Sequence, residues 1–449
     1  MGTRRQFVKK TSLYMAGLGT SLMFPPEILA SVRRTISPND KIQVGLIGCK
    51  GMGFANLLSI LKNSEVEVVA LCDVDENVLR AKTAELTKAD IKKPKWYSDY
   101  RKLLEDKDVD VVIIGTPDHW HCLQLVDAVD AGKDAYCEKP IANSIAECEV
   151  MLSKVNSSDR MVQIGQWQRS QPHFVDAINY VHSGKLGQIR LAKAWAYQGW
   201  MKPVPKLPDG PVPEGVDYKM WLGPAPEHAF NPNRFHFNFR WFWDYAGGLM
   251  TDWGVHLIDY ALYGMKASLP KSVMALGGKF AYPNDASETP DTLQTVYEFD
   301  GFSLLWEHAT GIDGGNYGRN HGIAFIGNNG TLVLDRGGWE VIPENDRPDW
   351  SQDLGPKIEV VPVQKVEANG LDLHTTNFLE AVKKRDETIL NAPIKIGYDA
   401  AMVCHMGNAA YKTGERLFWD AEKGSFTNAG ANVHLGKTYH NGWELPRTE

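Results

Sequence analysis

The sequence predicts an α/β protein in two parts. The first is a doubly wound parallel sheet; the second is an α/β domain built on a large, open, mostly antiparallel sheet. Two observations predict this. From Lys41 to about Gly165, short apolar runs alternate with amphipathic helical runs. Continuous Val/Ile/Leu strands between helices indicate a parallel sheet covered on both faces. After Gln166, strand-like runs dominate and the loops lengthen, with Pro and Gly concentrated in Met201–Pro226 and Pro343–Pro356.

The elements follow in order. Strands are expected at Ile42–Ile47, Val66–Cys72, Val109–Gly115 and Asp134–Cys137. Helices are expected at Phe54–Lys62, Asn77–Leu86, Tyr100–Leu104 and Leu123–Ala131, the last closed by Gly132. The second part carries strands at Ile189–Tyr197, Ser272–Ala281, Thr292–Phe299, Phe302–His308, Gly322–Ile326, Thr331–Leu334 and Ile358–Val363. Helices Met250–Tyr263 and His374–Arg385 are expected to cover one face of that sheet, and helix 398–412 to return to the first domain. This divides the chain into a segment 1–30, a first domain 38–165 and a second domain 166–449.

Strand Ile42–Ile47 runs directly into Gly48-Cys49-Lys50-Gly51-Met52-Gly53 and then a helix. A tight turn at a helix N-terminus presents backbone N–H groups to a pyrophosphate. Lys50 stands where the usual second glycine would be; Gly51 is expected to relieve the crowding and Lys50 to contact phosphate. Asp73 ends the second strand, 20 residues after Gly53, where a carboxylate accepts ribose hydroxyls. It would repel a 2′-phosphate, and Val74-Asp75-Glu76 offers no cation to hold one. NAD is therefore expected over NADP.

Three further constellations carry chemistry. Strand Val109–Gly115 ends in Thr116-Pro117-Asp118-His119-Trp120-His121, and the next strand ends in Glu138-Lys139-Pro140. Both lie at carboxyl ends of parallel strands, where open α/β sheets bind ligands. Later, Asp252 and His256 stand four residues apart, on one face of a helix. His119 and His121 alone are a weak zinc signal without a third ligand, and no metal is expected.

In this order and context, these motifs resemble the Gfo/Idh/MocA family of NAD(P)-dependent oxidoreductases over about residues 40–415. The resemblance implies a Rossmann domain followed by an α/β domain, and a sugar, inositol or related polyol oxidised at a secondary alcohol. It implies catalytic positions at Lys139, Asp252 and His256, nicotinamide-side positions at Thr116 and Glu138, and a cis bond before Pro140. Pro117 and His121 are expected beside the cofactor. His256 suits the base, with an ordinary pKa of about 6.5, and Lys139 suits a donor to the developing alkoxide.

Phe235–Tyr245 reads FHFNFRWFWDY, in which seven of eleven residues are aromatic. Arg240, Trp241, Trp243 and Tyr245 are expected to line a saccharide pocket, with Arg169 as a further substrate candidate. The alternative for the aromatic run is a core or interface strand.

Composition bounds partners and place. A net charge of −7 with no basic tract disfavours nucleic-acid binding. Thr3-Arg4-Arg5-Gln6-Phe7-Val8-Lys9, followed by an uncharged run from Thr11 to Pro26, resembles a bacterial twin-arginine signal. It implies the export machinery as a partner and a periplasmic or exported location. The six cysteines form no CxxC pair and are expected as buried free thiols. The open second sheet suggests pairing into a homo-oligomer. Three functions remain at this level: a dehydrogenase of a sugar or cyclitol, an NAD-dependent glycoside hydrolase with retained cofactor, and a non-catalytic sensor on the same scaffold.

Overall fold

The computed structural model describes residues 41–447; the signal-like segment 1–30 lies outside the described residues. Among the described residues, β1 (Ile42–Ile47), β2 (Val66–Cys72), β3 (Lys95–Tyr97), β4 (Val111–Ile114), β5 (Asp134–Cys137) and β6 (Val162–Ile164) form one sheet in the order β3-β2-β1-β4-β5-β6. All neighbours are parallel. Strand order reverses between β1 and β4, so their carboxyl ends open a crevice. The chain reaches it through local signals. Asp75 accepts from the Asn77 amide to start helix Glu76–Lys88, and Ser144 accepts from the Glu147 amide to start Ile145–Asn156.

The second sheet contains β7 (Ile189–Gln198), β8 (Ser272–Gly278), β9 (Thr292–Glu298), β10 (Ser303–Thr310), β11 (His321–Gly327), β12 (Gly330–Asp335), β13 (Gly338–Pro343), β14 (Val361–Gln364), β15 (Leu417–Asp420) and β16 (Ser425–Phe426). Its order is β14-β13-β12-β11-β7-β10-β9-β8-β15-β16. It is antiparallel except where β7 and β10 run parallel. In β9, Leu293, Thr295 and Tyr297 are buried while Gln294, Val296 and Glu298 are exposed. One face therefore meets helices, and the other carries exposed apolar residues including Leu191, Met274 and Leu276.

Two helix expectations are corrected. The predicted helix Met250–Tyr263 is two helices, Gly248–Asp252 and Gly254–Met265, broken at Trp253. Gly370–Lys384, expected on the second sheet, packs instead on helix Gly51–Ile60 of the first. Ser59 there bonds Asp372 and Thr375 at 2.7 and 3.0 Å. Helix Ile394–Thr413 lies between the two sheets, against Ile145–Asn156, Gly254–Met265 and β8. All six cysteines are free and buried.

Candidate active site

A cleft of about 490 Å³ runs from the Gly48 turn to Lys139 and Asp252. The turn explains how a lysine replaces a glycine. Lys50 has extended backbone, φ −107°, and needs no glycine. Gly51 takes the left-handed conformation, φ +54°, with open space where a Cβ would stand. Gly53 does not line the cleft. A Cβ there would lie 2.1 Å from the Gly48 carbonyl, so Gly53 serves helix–strand approach. The Asp73 carboxylate accepts from the Cys49 amide at 2.8 Å and the Asp75 amide at 3.0 Å. It is thereby tied to the turn it must serve. Open helix N-terminus, bare Gly51 and the Asp73 acid together fit a dinucleotide.

Burial pushes the Asp73 carboxyl up to about 6, against the two amides that favour its charge. Affinity for NAD should therefore decline as pH falls through about 6, when the carboxylate protonates. Fluorescence titration of NADH at several pH values checks this, with Asp73→Asn expected to bind weakly and without that dependence.

At the other end, the Lys139 ammonium donates to the Asp252 backbone carbonyl and to its Oδ1, both at 2.9 Å. Two of its three donors are thus held by Asp252, leaving one free. Arg240 Nε approaches the same Oδ1 at 3.3 Å. Burial alone would raise the Asp252 pKa, but Lys139 and Arg240 outweigh it and hold the carboxyl far below the usual range. Lys139–Pro140 is cis. Glu138 is buried and raised, its oxygens taking Asn56 Nδ2 at 2.8 Å and the Lys139 amide at 3.1 Å. Thr116, Pro117 and Glu138 do line the cleft.

His256 departs from its expected titration. Burial first, then the Lys139 and Arg336 charges, push it well below the ordinary histidine value. Its Nδ1 is buried without a partner. The ring is not among the residues lining this cleft; it lies 6.5 Å from the Trp253 ring, which Arg336 and His321 also approach.

Other expected residues lie elsewhere. His121 does not line the cleft; its ring nitrogens meet the Pro140 and Thr116 carbonyls at 2.7 and 2.9 Å, bracing those loops. His119 Nε2 likewise meets the Trp221 carbonyl at 3.1 Å. Arg169 is a buried partner of Asp259 at 2.6 to 3.0 Å, away from the main cleft. The aromatic run is neither strand nor single pocket wall. It folds as a short 3₁₀ helix, His236–Trp241, which sends its side chains to different places. Arg240 reaches the main cleft. Trp241 and Trp243 face two separate smaller cavities, and Tyr245 is in the core.

Four residues escaped the sequence reading. Asp118 lines the cleft, pushed up to about 7 by burial. His236 also lines it, 3.1 Å from Asp75. The preceding loop at Gly215–Asp217 forms a strap pinned beside Asp73: Asp217 N donates to the Val74 carbonyl at 2.8 Å and Glu76 N to the Gly215 carbonyl at 2.9 Å. Gln168 and Arg336 gather beside Trp253. Asp118 was within reach of sequence, in the same motif as Thr116; the others depend on distant segments meeting.

The model of the Gfo/Idh/MocA oxidoreductase family for the NAD-binding Rossmann fold matches residues 42–166, and that for the C-terminal α/β domain matches residues 179–309. An inositol 2-dehydrogenase of Salmonella typhimurium is 34% identical over 186 residues, 40% of this chain and 54% of that protein. A glycosyl hydrolase family 109 protein of Shewanella sp. (strain ANA-3) is 28% identical over 206 residues, 42% and 45% of the two chains. The chain thus spans about half the length of these curated relatives. Among solved structures, levoglucosan dehydrogenase in complex with NADH and levoglucosan shares the fold with a TM-score of 0.62 at 20% identity, covering 84% of this chain and 99% of that one. Aldose-aldose oxidoreductase from Caulobacter crescentus gives 0.61 at 19%, covering 84% and 100%.

Proposed function

The chain belongs to the Gfo/Idh/MocA family of oxidoreductases with its NAD-binding Rossmann domain, and on that premise we propose that it oxidises a secondary alcohol of a sugar, sugar derivative or cyclitol. The observation that carries this is the Lys139–Asp252 pair at one end of a cleft whose other end is the Gly48–Asp73 dinucleotide cradle.

Hydride acceptance from carbon is the chemistry NAD supplies when bound. The chain's residues handle the proton and charge. His256, held neutral by its surroundings, takes the hydroxyl proton. The one free donor of Lys139 stabilises the alkoxide. Asp252 fixes that ammonium through two contacts, so its direction is set before substrate arrives. Lys139→Ala and His256→Ala should each lower kcat by about 10²–10⁴-fold. Because the His256 pKa is depressed, its neutral form persists below pH 6.5, and kcat/KM should show no acid limb at the ordinary histidine value. A kcat/KM profile for the carbohydrate, taken with NAD saturating at every pH, that falls around 6.5 would contradict this base assignment.

A second reading is supported by the strap and by the family 109 relative: a glycoside hydrolase that oxidises transiently, eliminates the aglycone, adds water and reduces again. A strap pinned at Val74 and Glu76 suits a cofactor that stays bound. Incubation with aryl glycosides and NAD separates the two. Stoichiometric NADH supports net oxidation; aglycone release without it supports the hydrolase; neither product across a broad glycoside, sugar and cyclitol panel rejects both.

Export and self-association belong to the same proposal. The Arg4-Arg5 segment motivates a periplasmic location by way of the twin-arginine machinery, tested by fractionation with and without Arg4→Lys/Arg5→Lys. The exposed apolar sheet face, with Leu276 at 77% exposure, motivates a homo-oligomer. Sedimentation should show more than one copy, and Leu276→Glu should shift it toward monomer.

A further inference from the structure

One cation beside the catalytic groups has no role in the mechanism above. Arg336 lies in the turn between β12 and β13, its guanidinium 4.8 Å from the Trp253 ring centroid and 5.1 Å from that of Trp167. Among the described residues it forms no ion pair. Its hydrogen bonds go to Gln168, whose Oε1 takes Nε at 3.2 Å and Nη2 at 3.0 Å. A guanidinium has five N–H donors. Three remain, of which one on Nη1 and one on Nη2 lie along a single edge. That edge matches the two oxygens of a carboxylate.

The neighbours complete a pattern. Gln168 is 1% exposed, and its amide Nε2 has no partner; with Oε1 committed to Arg336, it too seeks an acceptor. His321 faces Asn320 Oδ1 through Nδ1 at 2.7 Å, so the proton sits there and the unpartnered, buried Nε2 is an acceptor. The His321 ring stands edge-on to Trp253 at 5.0 Å. His256 Nδ1 is unpartnered as well. Arg336 and Gln168 thus carry unpartnered donors, and His321 an unpartnered acceptor, around the Trp253 ring.

Charge points the same way. Lys139 and Arg240 share Asp252, and Asp118, which also lines the cleft, sits where burial favours its neutral form. Arg336 feels the Asp252 charge as well but makes no ion pair with it, and burial lowers its pKa. Aromatic faces offset only part of the cost of a desolvated guanidinium.

We infer that Arg336 and Gln168 bind a carboxylate carried by the substrate, whose neighbouring hydroxyls face His321 and His256, so that the substrate is a sugar or cyclitol acid rather than a neutral polyol. For the substrate's class, the inference rests on the oxidoreductase reading.

Calorimetric titration of the NADH-loaded full chain tests it, using hexuronates, hexose 6-phosphates and neutral hexosides matched in stereochemistry. A hexuronate should bind about ten-fold or more tighter than its neutral counterpart, a difference on the order of 1.4 kcal/mol. Arg336→Gln should abolish that preference, and Arg336→Lys, which keeps the charge without the planar edge, should restore part of it. Equal affinity for acid and neutral sugar, binding of neither, or a preference that survives in Arg336→Gln overturns the inference. A preference for phosphates that Arg336→Gln removes overturns the carboxylate assignment. Turnover is read separately. A hexuronate preference without hydride transfer in the NAD-loaded protein leaves Arg336 standing and counts against the oxidoreductase reading.

Discussion

The Asp252 carboxylate is the joint of this molecule. It sits at the end of the short helix Gly248–Asp252 in the second domain and holds Lys139 at the end of β5 in the first. Arg240, from the 3₁₀ helix His236–Trp241, leans on the same oxygen. Three parts of the chain thus meet on one group. Both members of the Lys139–Asp252 pair are largely buried, at 12% and 16% side-chain exposure. Loss of Asp252 would strand the Lys139 charge, a change that costs about 3–5 kcal/mol in comparable buried pairs. The same contacts that join the domains aim the ammonium, so architecture and the proposed catalysis draw on one interaction.

Around that joint, burial sets the protonation states. Asp252 is kept ionised by two cations; Asp73 and Asp118 are pushed up by burial; His256 is pushed down by burial and by positive neighbours. The site therefore offers a neutral imidazole and a fixed ammonium together. Such a pair can accept one proton while stabilising an oxyanion, which is the requirement for taking hydride from an alcohol carbon.

Sequence made the parallel βαβ units, the glycine turn, Asp73 and the Glu138-Lys139-Pro140 strand end legible, because each is written in consecutive residues with a periodic pattern around it. Lys50 looked like a defect in the fingerprint; extended backbone at Lys50 and left-handed backbone at Gly51 remove the conflict. What failed were side-chain directions. In Phe235–Tyr245, composition announces aromatics, but the backbone spreads them: Phe237 and Phe239 reach the main cleft, Trp241 and Trp243 two smaller cavities, and Tyr245 the core. In Gln166–Ser170, Arg169 drew notice for its charge, yet it turns to Asp259 while its neighbour Gln168 turns to Arg336. Arg336 itself carries no local signal. Only the pairing of β12 with β13 places its turn near a helix some 80 residues earlier.

Direct transfer of a substrate hydrogen to the nicotinamide is the central chemical claim, and it is common to net oxidation and to transient oxidation. Supplying the NAD-loaded protein with a ring-deuterated carbohydrate acid and reading the nicotinamide by mass spectrometry tests it most directly. Deuterium on the nicotinamide ring, lost in Lys139→Ala, is the predicted result. A ring that stays unlabelled in samples quenched during turnover would contradict the account.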